Sequence, residues 1–325
     1  MKAAVYSRYG PPDVLQIRDI EKPVPKDDEV LIKVRAASVN PVDWHFMRGT
    51  PYLMRMQAGL RKPKNTRFGV DVAGQVEAVG RNVTTFKPCD EVFGACRGSF
   101  AEYVCTPQSK LALKPDNVTF EQVASAPVAA LSALQGLRDK GQIRAGQKVL
   151  INGAAGGVGT FAVQIGKWFG AEVTGVCSTG NVEMVRSIGA DRVVDYTRED
   201  FTKSGLLYDI FLDCIGNHSL SACRRVLNSK GTYIIVGAPS GRWIRPFPRA
   251  IGASVLSRFV SQKLFMFVAK IGSEDLTVVG ELMKAGKVRP VVDRRYRLSE
   301  VPEAIRYLEE GHARGKVVIS VEPPH

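Results

Sequence analysis

The clearest hydropathy signal in the first third of the chain is Glu29-Val-Leu-Ile-Lys-Val-Arg35, in which Val30, Ile32 and Val34 alternate with Leu31, Lys33 and Arg35. A side-chain period of two with one wholly apolar face predicts a strand. Glycines and prolines recur from residue 10 to 98, so short strands joined by turns are expected there. The pattern changes near Thr119. Thr119-Phe-Glu-Gln122 has capping-box spacing and leads into the alanine-rich helical stretch EQVASAPVAALSALQGL. Apolar runs and helical periods then alternate: strands at 148–152, 172–177, 192–195, 209–213 and 232–236, with helices over 159–169, 181–188 and 220–227. Repeated βα units of this length imply a parallel sheet with helices on both faces, so the fold class is α/β. After Gly237 the rhythm breaks. Residues 241–261 are basic and aromatic, 263–269 reads as another strand, and helices are expected from Ser273 to near Gly286 and over 299–310, before a last strand at 316–321.

Composition narrows the class. A chain of 325 residues can bury a large core in one large domain or two ordinary ones, and 45% hydrophobic with 24% charged residues is typical of a soluble globular protein. No apolar run approaches the roughly 18 residues needed to cross a bilayer, and the opening MKAAVYSRYG lacks the apolar core of a signal peptide, so a cytoplasmic location is expected. The six cysteines, Cys89, Cys96, Cys105, Cys177, Cys214 and Cys223, form no C-x-x-C pair and read as reduced, mostly buried thiols.

The net charge of +13 is localised. Between Trp44 and Val70 there are six Lys/Arg and no acid, and between Cys214 and Ser273 nine and no acid. Together these stretches carry +15, leaving −2 for the rest. Such stretches suit an anionic ligand, a nucleic acid, an acidic membrane surface or simply a solvated basic face.

The strongest motif is Val149-Leu-Ile-Asn-Gly-Ala-Ala-Gly-Gly-Val-Gly159. A phosphate approaching a turn between strand and helix needs bare N–H groups and no Cβ in its path, which Gly153, Gly156, Gly157 and Gly159 provide. Dinucleotide binding is therefore expected. At the end of the next strand, Cys177-Ser-Thr-Gly-Asn181 has no acid to hold two ribose hydroxyls, whereas Ser178 and Asn181 can donate to a 2′-phosphate. NADP is expected over NAD.

At this point the chain resembles the medium-chain dehydrogenase/reductase superfamily, in its zinc-independent quinone oxidoreductase (zeta-crystallin-like) branch. The resemblance spans nearly the whole chain and rests on MKAAVYSRYGPPDVL, ASVNPVDW, GVDVAGQVEAVG at 69–80, CDEVFG at 89–94 where relatives have GDEVFG, INGAAGGVGTFAVQIGKWFGA and GKVVISV. It implies a GroES-like, strand-rich catalytic domain from 1–121 and 271–325, a Rossmann domain over 122–270, an active site in the cleft between them, and a homodimer paired through the strand near 263–269. Asn40 stands where zinc-dependent relatives have their first Cys ligand, Asp71 stands in place of their His-Glu pair, and the four-cysteine lobe is replaced by a basic segment. No metal is therefore implied. Carried over by motif, Ala154, Ala155, Gly156, Gly157, Val158 and Gly159 would hold the pyrophosphate, and Ser178, Asn181 and Tyr196 the adenosine end. Asn181 departs from the lysine that many relatives place there. Cys214, Gly216 and Gly237 would line the nicotinamide side, and Lys316 would reach the cofactor from the catalytic domain.

The activity this implies is hydride transfer from NADPH to quinones or α,β-unsaturated carbonyls, whose product anions need only hydrogen-bond donors and a proton. Asn40, Tyr52 and Asp43 are the candidate catalytic residues: Asn40 to position substrate and nicotinamide, Tyr52 as a donor, Asp43 to orient the loop or ribose. Asp43 and His45 together also have the look of a dyad, although a packed or solvated histidine is the simpler reading. Arg48 and the cations of 55–67 could receive an anionic substrate tail. Two alternatives stand beside this activity: an enoyl-thioester reductase, and a nucleic-acid or membrane-surface binding protein that also holds NADPH.

Overall fold

The structure is a computed structural model, and residues 1–236 and 261–321 are described. Gly237, the basic aromatic segment as far as residue 260, and His325 lie outside the described residues. The chain divides into two compact units. One contains Met1–Ala129, Lys270–Gly286 and the chain from Pro290 onward; the other runs from Ala130 to Ala269 and includes Lys287–Arg289.

The first unit is built on a seven-stranded sheet. Its path is β14 (Val292–Arg297), β15 (Lys316–Ser320), β3 (Glu29–Val39), β4 (Asp71–Val79), β5 (Glu91–Ala95) and β7 (Leu111–Leu113), with β6 (Tyr103–Pro107) also paired to β3. β1 (Lys2–Val5) and β2 (Gln16–Asp19) form a separate antiparallel pair. The expected alternation in β3 is present from Ile32 onward: Val30, Ile32 and Val34 are buried and Lys33 and Arg35 keep partial exposure, but Leu31 is buried as well. The helices of this unit are α1 (Pro41–Arg48), α2 (Arg55–Ala58), α3 (Phe120–Ala124), α8 (Ser273–Lys284) and α9 (Val301–Glu309). α9 turns Val301, Ala304 and Ile305 into a core with Met47, Phe68, Phe100, Val317 and Ile319.

The capping box at Thr119 forms as expected: its hydroxyl accepts the Gln122 N–H at 3.2 Å, and the Gln122 side chain accepts the Thr119 N–H at 2.9 Å. The alanine-rich helix is nevertheless two helices, α3 and α4 (Pro127–Gln135). Pro127 has no N–H to continue α3 and instead opens α4.

The second unit is a six-stranded parallel sheet. Its order is β10 (Arg192–Asp195), β9 (Glu172–Cys177), β8 (Lys148–Asn152), β11 (Tyr208–Asp213), β12 (Leu227–Ile235) and β13 (Lys263–Met266). Its further helices are α5 (Gly157–Trp168), packed on β8 and β9, α6 (Val182–Ser187), packed on β9 and β10, and α7 (Leu220–Arg225), packed on β12. The strands reverse outward from β8, as in doubly wound nucleotide-binding folds. Phe201, Phe211, Tyr233 and Leu264 fill the core on one side. α7 ends two residues before the expected 227 because the Gln262 amide reaches the carbonyls of Arg224, Leu227 and Asn228, releasing the chain into β12. β13 is shorter than 263–269, since its pairing with β12 stops at Met266.

Candidate functional site

The second unit holds its candidate site mainly with backbone. β8 ends at Asn152 and Gly153 takes φ +84°, a conformation that side chains resist. The N–H groups of Gly153 and Ala154 both donate to the Val176 carbonyl, at 3.2 and 3.0 Å, which pins the turn to β9. Helix α5 begins at Gly157, two residues earlier than the hydropathy pattern suggested. Gly157, Val158 and Gly159 therefore form its first turn, where N–H groups have no acceptor within the helix and the helix dipole is positive. A Cβ on Gly159 would lie 2.1 Å from the Gly153 carbonyl, so glycine alone lets the helix lie against the turn. A Cβ on Gly156 would meet only that same oxygen at 3.4 Å, leaving the outer edge of the turn open. These residues fit an anionic pyrophosphate. Ala154 and Ala155 are buried, and the Ala154 N–H is already used by the fold.

At the end of β9, the Asn181 amide donates to the Ser178 hydroxyl at 3.1 Å, and Asn181 Oδ1 is buried with no partner among the described residues. Tyr196 is 58% exposed, with its N–H bound to the Cys177 carbonyl at 3.0 Å. The acid that the end of β9 lacks is present on the neighbouring strand β10. Asp195 pairs in register with Cys177, and its carboxylate accepts the hydroxyls of Thr179 at 2.6 Å and Thr197 at 2.7 Å. The Thr179 hydrogen bond chiefly holds the Asp195 carboxyl below the usual carboxylate range.

Asp213, the buried last residue of β11, is a second residue that the pattern did not single out. It accepts the Tyr233 hydroxyl at 2.6 Å, Asn152 Nδ2 at 2.9 Å and the N–H groups of Ile215 and Gly216 at 3.1 and 2.8 Å. It thereby fixes the turn Cys214-Ile-Gly216, whose glycine has φ +73°. Desolvation, helped by Asp213, pushes the half-buried Cys214 thiol up.

The first unit gathers side chains. Strand pairing places Ser38 opposite Asp71 and Val39 opposite Val317, which brings positions 38–40, 71 and 316 together. Asn40 is 2% exposed, Asp71 0% and Lys316 3%. Asn40 Nδ2 donates to Asp71 Oδ2 at 2.8 Å and to the Ser38 carbonyl at 3.4 Å, while its Oδ1 accepts Lys316 Nζ at 2.5 Å. Asp71 Oδ2 also accepts the Ser38 hydroxyl at 2.8 Å and Lys316 Nζ at 3.4 Å, and Oδ1 accepts the Val128 N–H at 3.0 Å. Burial pulls the Lys316 ammonium below the usual lysine value, opposed by Asp71 and Asp43.

Asp43 is turned to the backbone: its Oδ2 accepts the Asn40 N–H at 2.8 Å at the start of α1. Burial, with Asp71 adding to it, pushes its carboxyl up to about 8. His45 does not join it. Its Nδ1 lies 2.8 Å from the Thr50 carbonyl, its ring stacks on Trp44 at 3.8 Å, and burial lowers its proton affinity. The dyad suggested by spacing is thus a helix cap and a packed histidine. Tyr52 is half-buried, with the Arg55 guanidinium 4.6 Å from its ring centroid; that guanidinium also covers Tyr9. Arg48 is spent on Glu309, at 2.5 and 2.8 Å, rather than presented to an anionic substrate tail. All six cysteines are free thiols, of which Cys89 is exposed. Among the described residues no group of three or more His, Cys, Asp or Glu could hold a metal ion, and no helix is long and apolar enough to cross a membrane.

Comparison with known proteins adds the family. Residues 26–116 match the alcohol dehydrogenase GroES-like domain, and residues 188–319 the zinc-binding dehydrogenase family. The mouse protein named NAD(P)H oxidoreductase RTN4IP1, mitochondrial, is 36% identical over 99% of this chain and 89% of its own length. The NADPH-dependent alkenal/one oxidoreductase, chloroplastic, of Arabidopsis thaliana is 36% identical over 98% of this chain and 79% of its own. Among solved structures, the quinone oxidoreductase from Coxiella burnetii superposes with a TM-score of 0.89 at 30% identity, over 99% of both chains. With such likeness running from end to end, the chain belongs to the medium-chain dehydrogenase/reductase superfamily, in its quinone oxidoreductase branch.

Proposed function

We propose that the protein is an NADPH-dependent reductase of quinones and α,β-unsaturated carbonyl compounds. The observation that carries this reading is the glycine turn that leads into α5, with its open edge at Gly156 and the first-turn donors Gly157, Val158 and Gly159. When bound there, the dinucleotide supplies a hydride from its reduced nicotinamide. Ser178, Asn181 and Tyr196 would hold the adenosine end, and Cys214 and Gly216, with Gly237, the nicotinamide side. NADPH is favoured over NADH because β9 ends without an acid, the Asp195 carboxylate on the neighbouring strand is already bound by Thr179 and Thr197, and Ser178 and Asn181 offer polar groups there.

The acceptor class is supported by the names of the relatives, one an alkenal/one oxidoreductase and one a quinone oxidoreductase. We read the chemistry as independent of zinc. A carboxamide, a hydroxyl, a carboxylate and an ammonium converge at Asn40, Ser38, Asp71 and Lys316, a donor set unsuited to that metal. A homodimer would form along β13, the edge strand of the six-stranded sheet among the described residues. The deciding experiment is a panel of quinones, enones and enoyl thioesters scored for oxidation of NADPH and of NADH. Turnover of quinones and enones with NADPH is expected; turnover of enoyl thioesters alone would transfer the reading to thioester reduction, and silence across the panel would sink it.

A further inference from the structure

In doubly wound folds the pyrophosphate of a dinucleotide lies on the turn after the first strand, and its adenosine ribose at the end of the second, where an acid accepts the hydroxyls of NAD. Here those strands are β8 and β9, and they are tied together at this end. The N–H groups of Gly153 and Ala154, in the glycine turn, both donate to the Val176 carbonyl of β9. β9 ends at Cys177, and the chain turns through Ser178-Thr-Gly-Asn181 with no acid. Asp195 pairs with Cys177 in parallel register, so it stands beside that turn, and it is bonded to it: Thr179 Oγ1 donates to Asp195 Oδ2 at 2.6 Å. The hydroxyl and N–H of Thr197 donate to Oδ1 at 2.7 and 3.0 Å, and Arg198 Nε lies 3.6 Å from Oδ2. The Thr197 bonds close a local turn beside Asp195. The Thr179 bond spans 16 residues and is the contribution of the β9 turn.

We propose that Thr179 and Asp195 set the choice between the two nicotinamide cofactors: Thr179 is a positioning residue that covers one oxygen of the Asp195 carboxylate, and Asp195, so covered, is withheld from the ribose hydroxyls of NADH. This rests on the dinucleotide reading above. A carboxylate only accepts hydrogen bonds, so it takes a ribose hydroxyl through an oxygen that is free, and it repels a 2′-phosphate more strongly when no donor covers it. The Thr179 hydroxyl acts on both counts. It fills Oδ2, and it sets an O–H dipole against the negative charge. Ser178 and Asn181 are uncharged and bonded to each other at 3.1 Å, so by charge they do not tell a phosphate from a hydroxyl. The acid one strand further along supplies that difference. A merely structural bond between the two loops would be served as well by an amide at position 195 and would leave cofactor choice alone.

Two probes that need no turnover test this: 5′-AMP and adenosine 2′,5′-bisphosphate, which differ by the 2′-phosphate alone, titrated into the full chain by calorimetry beside NADH and NADPH. The wild type is expected to prefer the bisphosphate and NADPH. Thr179 is exposed, so Thr179→Val leaves the fold in place while it uncovers Oδ2. It should tighten 5′-AMP and NADH about tenfold, the worth of one hydrogen bond to a charged group, and weaken the bisphosphate and NADPH about threefold. Thr179→Ser keeps the hydroxyl and should restore the wild-type ratios. Asp195→Asn should tighten the bisphosphate about threefold and leave 5′-AMP unchanged. In the double variant Thr179→Val with Asp195→Asn the gain for NADH should vanish, since no carboxylate is left to uncover. The assignment is overturned by a Thr179→Val that shifts both pairs of ligands alike, by a gain for NADH that survives Asp195→Asn, or by an Asp195→Asn that weakens the bisphosphate. A wild type that binds none of the four ligands sinks the dinucleotide reading and this assignment with it. A wild type that binds them with ratios unmoved by these variants sinks the assignment alone.

Discussion

The two units hold charge by opposite means. In the second unit, a turn of glycines and the first N–H groups of α5 offer partial positive charge from the backbone, which no side-chain substitution removes and only an added Cβ can obstruct. In the first unit, Asn40, Asp71 and Lys316 come from three strands or strand ends and hold whole charges by side chain, buried to within a few per cent. The backbone site is robust to most point changes. The side-chain site is high in stakes, since removing one partner strands another.

That contrast can be broken most severely in the first unit. Asp71→Ala is expected to cost about 3–5 kcal/mol by urea unfolding, because it leaves the Lys316 ammonium buried with only a carboxamide. Combining it with Lys316→Met should recover most of the loss; a single-variant cost below about 1 kcal/mol would mean that the pair is not the anchor described. In the second unit, Gly159→Ala should cost about 1–3 kcal/mol, since its Cβ meets backbone that cannot swing aside. It should also weaken NADPH binding at least about tenfold in a fluorescence titration. Gly272→Ala is the control, because a Cβ there meets nothing within 4 Å.

Asp43 sharpens the contrast through pH. Its carboxyl titrates near 8 in the fold against 3.8 unperturbed, so between those values the unfolded chain releases a proton that the folded chain keeps. The contribution is fully present below 3.8 and is lost as pH rises toward 8, at up to about 1.4 kcal/mol per pH unit. Asp43→Asn keeps an oxygen for the Asn40 N–H and should flatten this slope. Stability curves of the two proteins that stay parallel from pH 4 to 8 would contradict the burial argument. The smallest effect concerns the turn between β4 and β5. Cys89 holds φ +74°, where relatives of the GDEVFG pattern have glycine, so Cys89→Gly should stabilise the fold by about 1 kcal/mol in thermal unfolding.

Legibility followed the same division. The strand, glycine turn and helix were readable because spacing alone dictates where bare N–H groups fall, and only the start of α5 shifted, by two residues. Asp195 was not readable as a neighbour of the end of β9, because its place depends on the register of β10 against β9. Asp213 looked like the last residue of an apolar strand, although it fixes the turn at Cys214. Arg48 sits in an acid-free stretch, and its partner Glu309 lies 261 residues away, so local charge could not reveal that it was neutralised.

The sequence by itself determined the α/β rhythm, the family and the glycine turn between β8 and α5, since all three are written in local periods and motifs. Tertiary structure alone decided that Asn40 faces Asp71 and Lys316, that Asp43 caps the start of α1 rather than forming half of a dyad with His45, and that a lysine from the last strand lies against residues of the third and fourth. The physical reason is that hydrogen bonds and desolvation act between groups that only strand pairing brings together, and no local pattern encodes a register between residues 40, 71 and 316.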